Sequence, residues 1–160
     1  NKPKMINAIV LANVLMSIVS FTDINIPPHE VMPAVKQIIT QSELDGINPF
    51  RVLSLAWHET RLLNDAQSVT GACGILQVDT RFLKGYKCID IKASTALAVE
   101  AGNKIIRTYK KIYNKDWICH YNAGNVCNTA SIKWANSVEA LARKLHKEYE
   151  KTLGVCLMKM

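Results

Sequence analysis

The stretch Trp57-His58-Glu59-Thr60-Arg61-Leu62-Leu63-Asn64-Asp65 leads through Ser68-Val69-Thr70-Gly71-Ala72-Cys73-Gly74 into Ile75-Leu76-Gln77-Val78, and its reading decides the fold. An apolar helix is expected over residues 51–62, passing into a polar turn and then a loop of small residues. On that helix Val52, Leu55, Ala56 and Glu59 share one face, which sets the Glu59 carboxyl beside apolar groups. Desolvation raises a carboxyl's proton affinity and keeps the proton available near neutral pH. A carboxyl so placed, followed by a small-residue turn and a buried amide, suits chemistry that begins by protonating a leaving group.

Working outward, Asn48-Pro49 reads as the start of this helix, with Asn capping and Pro at the first position. Residues 29–45 read as the preceding helix, with Gly46 as its stop and Pro33 tolerable only in the first turn. Val35, Ile38, Ile39 and Leu44 would form its buried face. Downstream, a loop over residues 66–74 has glycines that allow tight turns, and a short helix is expected over residues 75–82, stopped around Gly85. The longest helix is expected over residues 92–113, with Ala96, Val99, Ile105, Ile106 and Tyr109 as its apolar stripe. A short helix at residues 117–121 breaks at Asn122-Ala123-Gly124-Asn125. A last one spans residues 138–153, with Val138, Leu141, Ala142, Leu145 and Tyr149 facing inward. No alternating strand, hairpin turn, internal repeat or low-complexity linker occurs, so the fold class is mainly all-α. At 160 residues the chain suits a single domain with its own core.

The breaker Asn25-Ile26-Pro27-Pro28 separates an apolar leader, residues 1–24, from the body, residues 25–160. In the leader, Lys2 and Lys4 precede a run from residue 5 to 21 that carries no charge and has the small Ser20 near its end. This pattern fits an export signal or a releasable anchor. The run is marginal as a transmembrane span, because it is short and carries Asn7, Asn13, Ser17 and Ser20. Asn13, Ser17 and Ser20 fall on one helical face, which leaves an ordinary amphipathic first helix open. Membrane contact is expected only through this segment.

Hydrophobic residues make up 49% and charged residues 21% of the chain, a globular balance, and the net charge of +7 favours polyanions. The basic residues are scattered, with neither zinc-finger spacing nor an RNA-binding aromatic signature, so nucleic acid is not an expected partner. Pairs such as Lys110-Lys111 and Lys144/Lys147 read as solvated helix faces. The five cysteines, Cys73, Cys88, Cys119, Cys127 and Cys156, include no C-x-x-C and no paired zinc spacing. They are either buried thiols or one or two disulfides with an odd cysteine left over. Signs of export favour disulfides, with connectivity open.

Three tempting motifs fail. His58-Glu59 is no zinc-protease helix, because Leu62 and not His stands four residues after His58. Cys119-His120 places adjacent side chains about 100° apart on a helix, without an assignable orienting residue. Gly71-x-x-Gly74 lacks the strand and the lysine of a phosphate loop.

Three segments taken in order carry a resemblance. They are Glu59-Thr60-Arg61-Leu62-Leu63-Asn64-Asp65-Ala66-Gln67-Ser68, then Gly71-Ala72-Cys73-Gly74-Ile75-Leu76-Gln77-Val78, then Tyr121-Asn122-Ala123-Gly124. Over about residues 30–153 the chain resembles the lytic transglycosylase domain of the soluble-transglycosylase (SLT) type, in the lysozyme-like superfamily. Thr60 stands where that family usually has Ser, and Asp65 where it has Pro; both replacements are tolerable. The resemblance implies a lysozyme-like single domain with its catalytic glutamate, Glu59, at the end of a core helix. It further implies that Glu59 protonates the glycosidic oxygen between N-acetylmuramic acid and N-acetylglucosamine. The same residue then takes a proton from the muramyl C6 hydroxyl as that oxygen closes onto C1, leaving a 1,6-anhydro end.

Ser68, Gln77, Tyr121 and Asn122 resemble the family's substrate-binding residues. Ser68 would bond the sugar or its N-acetyl group, Gln77 would contact sugar, and Tyr121 would hold its hydroxyl near the acid. Each also has a plainer reading: loop capping for Ser68, a loop tie for Gln77, core packing for Tyr121 and turn formation for Asn122. Gly71 and Gly74 read as shape and not contact. Peptidoglycan glycan strands are the implied partner, and a monomer in the periplasm or cell envelope, with no metal or organic cofactor, is the implied setting. Two alternatives remain open. One is a hydrolytic muramidase resembling goose-type lysozyme, for which Asp65, Asp79 and Asp90 are the nearby second carboxylates. The other is a wall-binding component of a secretion or virion apparatus.

Overall fold

The computed structural model describes residues 5–20 and 26–158, apart from the side chains of 155–157. Polar caps start several of its helices. Asn7 opens α1 (Ala8–Val19) by accepting from the N–H groups of Ile9 and Val10 at 3.0 and 3.1 Å. After α2 (Pro28–Leu44), Asn48 opens α3 (Pro49–Thr60) by accepting from Phe50 N–H at 2.9 Å and Arg51 N–H at 3.3 Å. Ser94 stands between α4 (Cys88–Ala93) and α5 (Thr95–Tyr113), and its hydroxyl accepts from Leu97 N–H at 3.2 Å. The chain closes with α6 (Trp117–Ala123) and α7 (Thr129–Met158). Among the described residues there is no strand, only the isolated bridges Gln67–Cys73 and Cys73–Val78.

The core is built around α3. Val52, Leu53, Leu55 and Ala56 are all 0% exposed, so this helix is apolar nearly all round and is enclosed by its neighbours, with α2 and α7 packed against it. Ser54, buried inside it, donates to the Val138 carbonyl of α7 at 2.6 Å. The Asn7 N–H donates to the Tyr149 hydroxyl at 2.8 Å, fixing the start of α1 to α7. Leu11, Ala12, Leu15 and Val19 of α1 are buried in the same core, while Asn13, Ser17 and Ser20 face outward. No helix among the described residues is long and apolar enough to cross a membrane.

Several expectations need correction. Leu44 is 76% exposed, and Ser42 is the buried residue near the end of α2. Positions 31, 35, 38, 39 and 42 follow the helical repeat, which Leu44 leaves. Pro33 lies inside α2 and beyond its first turn, and the helix continues through it. Helix α3 ends at Thr60, because Arg61 and Leu62 adopt left-handed φ values of 54° and 65°. Each such conformation costs about 1–2 kcal/mol for an L-residue. Burial of Leu62, a bond from Arg61 N–H to the Trp57 carbonyl at 3.0 Å and the Arg61 guanidinium over the Trp57 ring at 5.1 Å offset that cost.

The expected helix over residues 75–82 is absent. Cys73 and Val78 exchange both backbone hydrogen bonds, at 2.9 and 2.8 Å, and Gln77 takes a left-handed φ of 48°, leaving only a 3-10 turn at Thr80–Phe82. The segment expected as one helix from 92 divides, because Ser94 is extended at φ −139° and ψ 109°. Ala96 of that stripe is exposed. The longest helix is α7, with 30 residues, and it begins nine residues before the expected position 138.

Candidate active site

Glu59 occupies the last turn of α3, where the helix leaves the core. The carboxyl's proton affinity rises from an ordinary pKa of 4.5 to about 7, and the cause is desolvation. His58, its neighbour, turns elsewhere: Nδ1 donates to the Ser54 carbonyl at 2.8 Å, and the ring meets the edge of Trp134. Burial lowers the His58 pKa, and Arg61 adds to this in the same direction.

The loop after α3 is held against α3 and α4 by a few polar side chains. Thr60 Oγ1 donates to the Ile75 carbonyl at 2.9 Å, so the hydroxyl at this position links the end of α3 to the loop. Asn64 accepts from Ile75 N–H at 2.9 Å and donates to the Ile91 carbonyl at 2.8 Å, which joins the loop to α4. Gly74 sits at φ +78°, and a Cβ there would approach Ile91 Cγ2 to 2.6 Å. Glycine is therefore required on both conformational and steric grounds. A Cβ on Gly102 of α5 would collide with Leu76, which is how α5 packs so close behind the loop.

Disulfides tie both sides of the region. Cys73–Cys88 joins the loop to α4, and Cys119–Cys127 spans the turn that follows α6. The expectation of one or two disulfides is met, and Cys119 is thereby unavailable as a thiol nucleophile. The side chain of Cys156 lies outside the described residues.

Glu59, Ser68, Gln77, Tyr121 and Asn122 all line one cavity of about 400 Å³. Ser68 Oγ accepts from Ala72 N–H at 3.0 Å and pairs with Thr70 Oγ1 at 2.9 Å, so the hydroxyl closes its own loop while facing the cleft. Gln77 Nε2 donates to the carbonyls of Gly74 at 3.1 Å and Ala66 at 3.4 Å, a tie made possible by its left-handed backbone. Tyr121 donates its hydroxyl proton to the Leu76 carbonyl at 2.6 Å. Burial, with the nearby charge of Glu59 second, pushes its pKa well above the ordinary tyrosine value. The ring of Tyr121 meets Tyr109 and Trp117 edge-on, at 6.2 and 6.5 Å between centroids.

The cavity also collects residues that the sequence did not single out as a site, among them Thr70, Phe82, Ile105 and Tyr109. Phe82 follows Gln77 so closely that its place in the chain was the available signal. Ile105 and Tyr109 were legible only as an apolar stripe of a helix. Of the three acidic candidates for a second carboxylate, Asp79 alone lines the cleft with Glu59. Its carboxylate accepts from the Arg81 guanidinium, with the shortest contact at 2.6 Å, and from Arg81 N–H at 3.1 Å, which holds its pKa below the usual carboxylate range. Among the described residues no group of three or more His, Cys, Asp or Glu side chains could hold a metal ion.

Curated proteins give no match to the chain. Residues 36–147, from within α2 to within α7, match the family model described as the transglycosylase SLT domain, and all five expected site residues fall inside that span. With most of its length matched, the chain belongs to the transglycosylase SLT domain family, whose activity is directed at peptidoglycan.

Proposed function

We propose that the protein is a lytic transglycosylase that cuts the β-1,4 bond between N-acetylmuramic acid and N-acetylglucosamine with Glu59 as acid and then base. The observation that carries this reading is the Glu59 carboxyl, its pKa raised to about 7 by desolvation, in a cleft of about 400 Å³ that it shares with Ser68, Gln77, Tyr121 and Asn122. At that value both protonation states are populated near neutrality, as a group that gives and then takes a proton requires. In the first step Glu59 donates its proton to the glycosidic oxygen as the bond from that oxygen to muramyl C1 breaks. In the second, the Glu59 carboxylate accepts the C6 hydroxyl proton as O6 bonds to C1. No water is consumed.

Ser68, Gln77 and Asn122 would bind the sugar, with hydroxyl and amide groups matched to its hydroxyl and acetamido substituents. Tyr121 would act by holding the loop that forms the cleft wall. Its hydroxyl anchors the loop at Leu76, and the side chain lines the cleft with Glu59.

A second reading, hydrolysis, is favoured by one observation: Asp79 shares the cleft and is held as an anion by Arg81. Such an anion could take a proton from an attacking water. Its engagement with Arg81 counts against that role. The two chemistries leave different ends. Mass spectrometry of muropeptides released from purified peptidoglycan should find anhydro-muramyl ends that vanish in Glu59→Gln. Reducing muramyl ends, one water heavier, would establish hydrolysis instead. No release by either protein would favour a wall-binding component.

The setting follows from the chemistry. Peptidoglycan lies outside the cytoplasm, and two disulfides suit an oxidising compartment, so the protein would act in the periplasm or cell envelope. Burial of Leu11 and Leu15 between α2 and α7 supports reading α1 as the first helix of the domain in its folded state. Deletion of residues 1–21 should then abolish stable folding; a fully active truncated protein would restore the signal or anchor reading.

A further inference from the structure

We infer that Phe82 is a platform on which the glycan strand stacks one hexosamine ring, an inference that rests on reading the cleft as a glycan site. Phe82 lines the cavity that holds Glu59 and yet is 73% exposed, so its ring stands at the cleft mouth. The turn that carries it is held by hydrogen bonds. Asp79 accepts from Arg81 N–H at 3.1 Å and from the Arg81 guanidinium at 3.0 and 2.6 Å. Phe82 N–H donates to the Asp79 carbonyl at 3.1 Å, and Leu83 N–H to the Thr80 carbonyl at 3.2 Å. These bonds close the 3-10 turn Thr80–Phe82 and fix the backbone that carries the ring.

An exposed phenyl group on a fixed turn leaves apolar area in water that a ligand can cover. The face of a β-linked N-acetylhexosamine is a flat patch of C–H groups, edged by hydroxyl and acetamido groups. The cleft matches both halves of that pattern. Phe82 and Ile105 supply apolar surface, while Ser68, Thr70, Gln77 and Asn122 supply hydrogen-bonding groups. The Asp79–Arg81 pair then acts as the brace that sets the platform.

Binding can be measured without turnover. Calorimetric titration of the Glu59→Gln protein with the hexamer of N-acetylglucosamine gives the reference affinity. Adding Phe82→Ala or Phe82→Leu should weaken it about tenfold, and Phe82→Trp should hold it within about threefold, because only a flat ring keeps the stacked face. With Glu59 intact, Phe82→Ala should raise KM on soluble glycan strands by a similar factor while retaining most of kcat, the pattern of lost uniform binding. Equal affinities for the Phe and Ala proteins would overturn the platform, as would failure of Trp to substitute. Failure of the hexamer to bind the reference protein would overturn it as well. Failure of the transglycosylase reading shows separately, as no glycan cleaved by the unmodified protein.

Discussion

Replacing Glu59 with Gln should make the protein more stable as well as inactive, and the gain should depend on pH. The folded state holds the Glu59 proton more tightly than an unfolded chain does, with a pKa of about 7 against an ordinary 4.5. Its contribution is therefore fully present below about pH 4.5 and is lost as pH rises through about 7. At about 1.4 kcal/mol for each tenfold change in proton affinity, ionising this buried carboxyl costs about 3 kcal/mol of stability by pH 8. Gln has nearly the same shape and no charge to desolvate. Urea unfolding of both proteins between pH 4 and 9 gives the difference in stability at each pH. That difference should grow in favour of Gln from about pH 4.5, level off above about pH 7, and reach about 3 kcal/mol. The pH dependence is the test, since any constant effect of the substitution cancels from it. A difference that stays flat across this range would refute the desolvation of Glu59 and with it the basis of the acid role.

Three further outcomes follow from the same geometry. With one carboxyl serving as the initial acid, kcat/KM on purified glycan strands should fall tenfold per pH unit above about pH 7, read from initial rates; an unchanged rate to pH 9 would contradict this. Changing Cys73 and Cys88 together to Ser opens a crosslink of sequence separation 15, and should lower stability by about 3 kcal/mol in urea unfolding and reduce activity, because Cys73 anchors the bridge beside Gln77. Asp45 accepts from Arg107 at 2.9 Å, Asn103 at 3.1 Å and Gln41 at 3.1 Å, so Asp45→Ala should cost about 2 kcal/mol by the same measurement without altering the products.

The difference between the legible and the illegible parts follows the range of the interactions. Helices α2, α3 and α6 could be read because caps, breakers and apolar spacing act within a turn or two: Asn48-Pro49 starts α3, and Gly124 ends α6. The segment 75–82 could not, because its apolar residues suit a helix locally. Its actual path is dictated by bonds to residues outside it: the ladder with Cys73, the disulfide from there to Cys88, the Asn64 bond to Ile75 and the close packing of Leu76 on Gly102. Leu44 and Ala96 were misplaced for a related reason, since an apolar residue near a helix end or edge is buried only where another element covers it.

By itself, the sequence determined that the chain is helical and that Glu59 ends an apolar helix, while its resemblance to a family pointed to Ser68, Gln77, Tyr121 and Asn122 as site residues. Spacing along a helix and short motifs carry that information without reference to distant parts of the chain. Tertiary structure alone decided that these residues share one cleft, that Asp79 and Phe82 join them, and that Tyr121 bonds Leu76. It also set how far Glu59 is desolvated, since a pKa depends on every group packed around the carboxyl and those groups come from segments far apart in the chain.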